Sequence, residues 1–180
     1  MEKFLSSFIM VLLITGCSNG QSLELVKGSV EVQDGEEIEV LNQEKTERTL
    51  ESKELTYHFV IENTGNKSIG GMTDNTRIKA KIVPNGKLEE VSQEIMGFNI
   101  YENYEGLGHR ISAPPLLKPN EKGEYIFSFG LGAKEKYPEN IVIAPSSEKM
   151  NELEKHSMNS TLVILVGDKE IANFDLNEFN

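Results

Sequence analysis

Cys17 is the one cysteine in a chain of 180 residues, and it stands just behind the apolar run from Phe4 to Ile14. A lone thiol excludes an internal disulfide and a cysteine-based zinc cluster, and in an exported protein it is unusual unless modified. The other residue types that do chemistry are scattered. His58, His109 and His156 have no partner at ligand spacing. Gly70-Gly71 and Gly130-Leu131-Gly132 lack the lysine and the strand-to-helix setting of a phosphate loop, and no Gly-x-Ser-x-Gly elbow occurs. Asp34-Gly35-Glu36-Glu37 and Asp74-Asn75 do not match the twelve-residue calcium loop and read as turns. With 29 Asp and Glu residues, neighbouring carboxylates are too common to single out an acid–base couple. The sequence therefore predicts no catalytic residue, no metal ligand and no cofactor, and an enzyme is not expected.

Set against those 29 acids are 18 Lys and Arg, for a formal net charge of −11. Such a surface repels phosphate backbones, so nucleic acid is not an expected partner. The acid is spread along the chain instead of massed in a tail, as a solvated exterior requires. The length suits one domain behind a targeting segment, and a domain of that size buries a core without staples.

Residues 1–16 read as a signal peptide. Lys3 and the free amine give a weakly positive start, diluted by Glu2. The run Phe4 to Ile14 follows, polar only at Ser6 and Ser7, and Thr15-Gly16 supplies small residues before a cut. A permanent membrane span needs about 20 apolar residues, so this run is too short for one.

The four residues Ile14-Thr15-Gly16-Cys17 resemble a bacterial lipobox: an aliphatic residue, small residues, then cysteine. The resemblance implies a diacylglyceryl group on the Cys17 sulfur and cleavage that leaves Cys17 as the new N-terminus. The alternative is an ordinary secretory signal with a chance cysteine. Each buried methylene contributes about 0.8 kcal/mol, and the two chains of one diacylglyceryl group suffice for stable anchoring. The expected location is the extracytoplasmic face of the cell membrane, with the bilayer as first partner. Residues 17–22 then form the lipidated cysteine and a polar tether, whose five residues after Cys17 reach at most about 17 Å. Losing residues 1–16 removes Glu2 and Lys3 together and leaves the net charge unchanged.

Residues 23–180 are expected to form the carried domain, and its pattern is that of strands. In Glu54–Glu62, Leu55, Tyr57, Phe59 and Ile61 alternate with Thr56, His58 and Glu62, which is the period of a half-buried strand. Arg77–Ile82 and Glu124–Leu131 alternate likewise, the second with Tyr125, Phe127, Phe129 and Leu131 in phase. Short strands are predicted around Leu23–Val26, Val30–Val32, Ile38–Leu41 and Ile141–Ile143, with Gly28 as a break and Asp34-Gly35 as a hairpin turn. Thr46–Lys53 reads as a loop, and Thr161–Val166 and Glu170–Leu176 as a hairpin about Gly167-Asp168-Lys169. One helix is predicted, near 148–156, where Met150 and Leu153 stand three apart. Leu162–Val166 is apolar on both faces, so a cover is needed on its outer side: the short helix before it, or a partner. The fold class is all-β, an antiparallel β-sandwich with one short helix, preceded by a signal-peptide helix.

Two stretches, "ELTYHFVIENTG" and "LKPNEKGEYIFSF", resemble the immunoglobulin-like domains of Gram-positive lipoproteins. There, a strand ending in Asn-Thr-Gly is answered by a leucine, a proline-led turn and an aromatic strand. The same outline occurs in a bacterial proteinase-inhibitor domain. That family's pattern includes tryptophan, which this chain lacks. The resemblance implies an immunoglobulin-like sandwich that acts as a non-enzymatic binding or structural module, with an envelope protein as a further partner. The alternative is a proteinase inhibitor or small-ligand-binding protein on the same scaffold.

The stretch Met96–Arg110 is the candidate partner surface, through Phe98, Tyr101, Tyr104, His109 and Arg110. Aromatics among glycines on a long loop are a common recognition surface. The competing expectation is that Phe98–Tyr101 is another strand with its aromatics in the core. Pro114-Pro115 then forbids ladder pairing and marks the crossing into the Tyr125 strand.

Overall fold

The computed structural model describes residues 22–41, 47–102, 108–136 and 141–179. Along the chain come β1 (Leu23–Asp34), β2 (Ile38–Leu41), β3 (Glu47–Leu50), β4 (Ser52–Asn63), β5 (Ile69–Gly70) and β6 (Ile78–Pro84). Helix α1 (Gly86–Met96), β7 (His109–Ser112), β8 (Leu116–Leu117) and β9 (Lys122–Ala133) follow. Helix α2 (Ser147–Ser157), β10 (Ser160–Val166), β11 (Lys169–Asp175) and a 3-10 turn at Leu176–Phe179 complete it. The described residues are mostly strand, in antiparallel sheets. The expected signal segment, Cys17 and the expected tether as far as Gln21 lie outside the described residues.

The predicted alternation at residues 54–62 places β4 at the centre of a four-stranded sheet in the order β1-β4-β9-β7. Leu55, Tyr57, Phe59 and Ile61 face inward beside Tyr125, Phe127, Phe129 and Leu131 of β9, and all eight belong to the core. Fully burying each such side chain contributes about 1.5–3 kcal/mol. Asn63 joins the two stretches quoted above. Fully buried, its amide nitrogen donates to the carbonyls of Lys67, Leu117 and Lys118, and its backbone N–H donates to the Glu121 carbonyl. One asparagine thus satisfies the backbone of two turns that would otherwise be stranded.

A three-stranded sheet, β11-β10-β6, supplies the other side of the core. Ile78, Ala80 and Ile82 of β6 and Leu162 and Ile164 of β10 enter the same cluster as the inner face of the first sheet. The predicted β10–β11 hairpin forms, turning at Gly167-Asp168.

Among the described residues two α-helices are present where one was expected. The predicted one is α2, capped by the Ser146 side chain and burying Met150 and Leu153. The unexpected one is α1. Asn85 accepts from the Leu88 N–H at its start, and Gly97, at φ 82°, closes its end by donating to the Gln93 carbonyl. Pro84-Asn85-Gly86 looks like a turn in sequence, but the asparagine is an N-cap with Leu88 and Val91 spaced behind it. α1 and α2 pack on each other, and α2 lies along β1. The cover expected over β10 is therefore corrected. Met150 and Leu153 join the central core, whereas Val163, outside that cluster, is buried between its pairing neighbours Lys81 and Asn173.

Other local expectations also give way. β1 runs unbroken through Gly28, with its one irregularity between Leu25 and Lys27. Asp34-Gly35 is not a hairpin turn, because β1 pairs with β4 and β2 with β3. Within the stretch expected as a loop, β3 forms and β4 begins, with Leu50 fully buried. Ile141–Ile143 makes a single parallel bridge, Ala133 to Ile143, instead of a strand. Phe98–Tyr101 is a turn, not a strand. For β1 and β4 a long-range strand partner decides the outcome.

Candidate functional site

The outer face of the four-stranded sheet carries an unusual row of polar residues. Pairing registers Thr56 with Ser128 and Ser128 with Arg110, and in the next row Gln33 with Glu54 and Glu54 with Gly130. Glu54 is 7% exposed despite its outward position. Its carboxylate accepts from Gln33 Nε2 at 2.9 Å, Thr56 Oγ1 at 3.1 Å and Arg110 Nη2 at 2.6 Å. A carboxylate so nearly desolvated requires this full set of donors, so Arg110 is the residue that makes Glu54 tolerable there. The other guanidinium nitrogen of Arg110 pairs with Glu36, on the connection between β1 and β2.

That connection is pinned from below. The Gly35 N–H donates to the Ser52 carbonyl at 3.1 Å, and the Ser52 hydroxyl donates to the Glu36 carbonyl at 2.6 Å. Across from it, residues 141–144 close on the end of β9, where the Ala133 N–H donates to Val142 and the Ala144 N–H to Ala133, each at 2.9 Å. This approach demands glycine at 132. Its φ is 116°, and a Cβ there would stand 2.4 Å from the Val142 oxygen.

Between these walls lies a cleft of about 460 Å³. Its lining is part charged (Glu36, Glu37, Glu54, Lys53, Arg110) and part apolar, from Ile38, Ile141 and Val142. Gly130 beside Glu54 adds no side chain to fill it. Lys53 is drawn to Asp34 at 2.8 Å, and Lys134 reaches the same carboxylate at 2.8 Å and Glu51 at 2.7 Å. The ammonium of Lys134, then that of Lys53, hold the Asp34 carboxyl down at about 2, and Asp34 and Glu51 in turn raise Lys134. Among the described residues no group of three His, Cys, Asp or Glu side chains is placed to hold a metal ion.

The five residues singled out in sequence part company. Tyr101 is 5% exposed and Phe98 is half-buried against the core. His109 stacks on Phe129 with ring centroids 4.6 Å apart, and burial lowers its pKa below the ordinary 6.5. Tyr104 lies outside the described residues. Arg110, one step along β7 from His109, points to the opposite face and joins the cleft. In sequence Glu36 and Glu37 read as part of a turn and Glu54 as one acid among many, so none of the three is predicted as a site residue. The one available signal was Glu54, an acid at the start of the clearest alternating strand.

Compared with protein-family models, with curated proteins and with solved structures, the chain finds no match in any of the three.

Proposed function

We propose that this chain is a bacterial envelope lipoprotein, lipidated on Cys17, that displays a non-enzymatic binding or structural module at the extracytoplasmic face of the cell membrane. The observation that carries the reading is Ile14-Thr15-Gly16-Cys17, directly behind a short apolar run and six residues before β1 begins. The module itself is read as an immunoglobulin-like sandwich. The joining of the two resembling stretches through Asn63, and the shared core of the two sheets, support that assignment.

The placing of the first strand supports an oriented display. The Ser22 carbonyl accepts from the Thr64 N–H at 2.9 Å, which holds the tether exit beside the Asn63–Gly65 turn. β1 then runs twelve residues to Asp34, about 40 Å of extended chain. The tether end of the sheet faces the bilayer in this reading, and the cleft opens at the far end, toward an envelope partner.

Replacing Cys17 by Ser is expected to move the protein out of the membrane fraction or to leave the uncut precursor. Fractionation and intact mass decide it. A C17S protein that stays both processed and membrane-bound would overturn the lipoprotein reading. A second reading, a small-ligand-binding protein on the same scaffold, is favoured by the cleft, whose volume of about 460 Å³ falls in the range of roughly 300–1,000 Å³ typical of ligand pockets.

A further inference from the structure

Among the described residues each cation of the cleft is held by a carboxylate, whereas Glu37 has no partner and Glu36 uses one of its two oxygens. Arg110 lies between Glu54 and Glu36, and Lys53 is held by Asp34 outside the lining. Glu37, exposed at the lip, makes no hydrogen bond or ion pair among the described residues, and Glu36 uses one oxygen. An incoming anion would have to take Arg110 from one of its two carboxylates, inside a chain of net charge −11. An incoming cation displaces nothing. It meets two neighbouring carboxylates, Glu36 and Glu37, at the exposed lip of the cleft. Ile38, Ile141 and Val142 add apolar lining beside them.

The geometry points to a binding site for a cationic group on an aliphatic stem, a primary amine or a guanidinium. The head sits at Glu36 and Glu37 and the stem lies along Ile38 and Val142. Glu54 and Arg110 form the fixed floor, since their pairing leaves neither free to move without stranding the other. This deepens the binding-module reading and rests on it for the biological role, while the binding itself is independent of the lipid anchor. The amine has two sources, a free small molecule or a lysine side chain of a partner protein.

The purified full-length chain is titrated with n-butylamine, with butyramide and butyrate as neutral and anionic analogues, and with acetyl-Gly-Lys-Gly-amide, followed by NMR shifts. Butylamine and the lysine peptide are expected to perturb Glu36–Ile38 and Val142, with the two analogues at least about tenfold weaker. Glu36→Gln and Glu37→Gln, both at exposed positions that leave the fold intact by circular dichroism, should each weaken amine binding by about three- to tenfold. A peptide bound about tenfold more tightly than butylamine assigns the site to a polypeptide partner, and equal affinity to a small amine. Stronger binding of butyrate, amine binding unchanged in both glutamine variants, or no shift up to about 20 mM amine would overturn the proposal. Release of the C17S protein from the membrane is read separately, so either reading can fail without the other.

Discussion

Tyr57 and Tyr125 face the same core from neighbouring strands, yet their hydroxyls differ in what they meet. Tyr57 bonds to the Tyr101 hydroxyl at 2.7 Å and donates to the Ser157 carbonyl at 3.0 Å, tying the sheet to the end of α2. The Tyr125 hydroxyl is buried with no partner among the described residues. Burial raises the pKa of all three phenols, so each remains protonated across the working pH range. Tyr57→Phe should cost about 2 kcal/mol, because it strands the buried Tyr101 hydroxyl as well as losing its own bonds. Tyr101→Phe leaves the bond to Ser157 and should cost about 1 kcal/mol. Tyr125→Phe removes an unsatisfied polar atom and should be neutral or stabilising by up to about 1 kcal/mol. Urea unfolding of the three variants checks the order, and a Tyr125→Phe loss as large as that of Tyr57→Phe would contradict it. Nothing in the sequence separates these tyrosines, which share one alternating pattern. Their difference is made by Ser157, a hundred residues away from Tyr57.

Among the elements, the arm at residues 141–144 depends most on a single position. Its Ile141–Ile143 run reads as a short strand in sequence, but it makes a single bridge and is held to β9 by the two hydrogen bonds at Ala133. Gly132→Ala puts a methyl group against the Val142 oxygen and forces a side-chain-bearing residue to φ 116°. We expect a loss of about 1–3 kcal/mol in urea unfolding and detachment of the arm, seen as faster amide exchange at Ala133 and Ala144. Wild-type stability and protection in that variant would mean the close approach is absent. The two strongest strands, β4 and β9, were legible because strict alternation over eight or more residues reports one buried face directly. The α1 helix was written in its caps, Asn85 and Gly97, but the Asn-Gly pair that opens it carries an equally good turn signal. The pairing of β1 with β4 in place of β2 was not legible, since a turn signal at Asp34-Gly35 says that the chain bends and not which strand it bends toward.

For the whole molecule, two groups among the described residues act on the acid side of the stability profile. His109, half-buried on Phe129, has its pKa lowered from 6.5 by burial. The unfolded chain therefore takes up a proton first, and stability, full above about pH 6.5, falls as the pH drops from there through the folded value. Asp34, held at about 2 against an ordinary 3.8, contributes stability above pH 3.8 that is lost as the pH falls toward 2. Its lysine partners sit at the surface, so this second step should be small and should shrink with added salt. Urea midpoints measured against pH should show both steps. His109→Phe, which keeps a ring on Phe129, should remove the upper step alone, and Asp34→Asn the lower. Retention of the upper step in His109→Phe would assign it to another group.

The proposed role of Cys17 rests on sequence alone, because a leader and its cleavage site are recognised as extended sequence and depend only on neighbours in the chain. The same holds for the alternating strands and the α2 cap, whose signals lie within one element. The cleft was a different matter. Glu36, Glu54, Arg110 and Val142 come from four separate parts of the chain, and of these Arg110 alone stands in a stretch singled out in sequence as a partner surface. The register of β4, β9 and β7, the pinned connection that carries Glu36, and the approach of residues 141–144 that Gly132 permits bring them to the lining of one cleft. A buried carboxylate and the arginine that satisfies it are a property of desolvation, and desolvation exists only once the chain has folded.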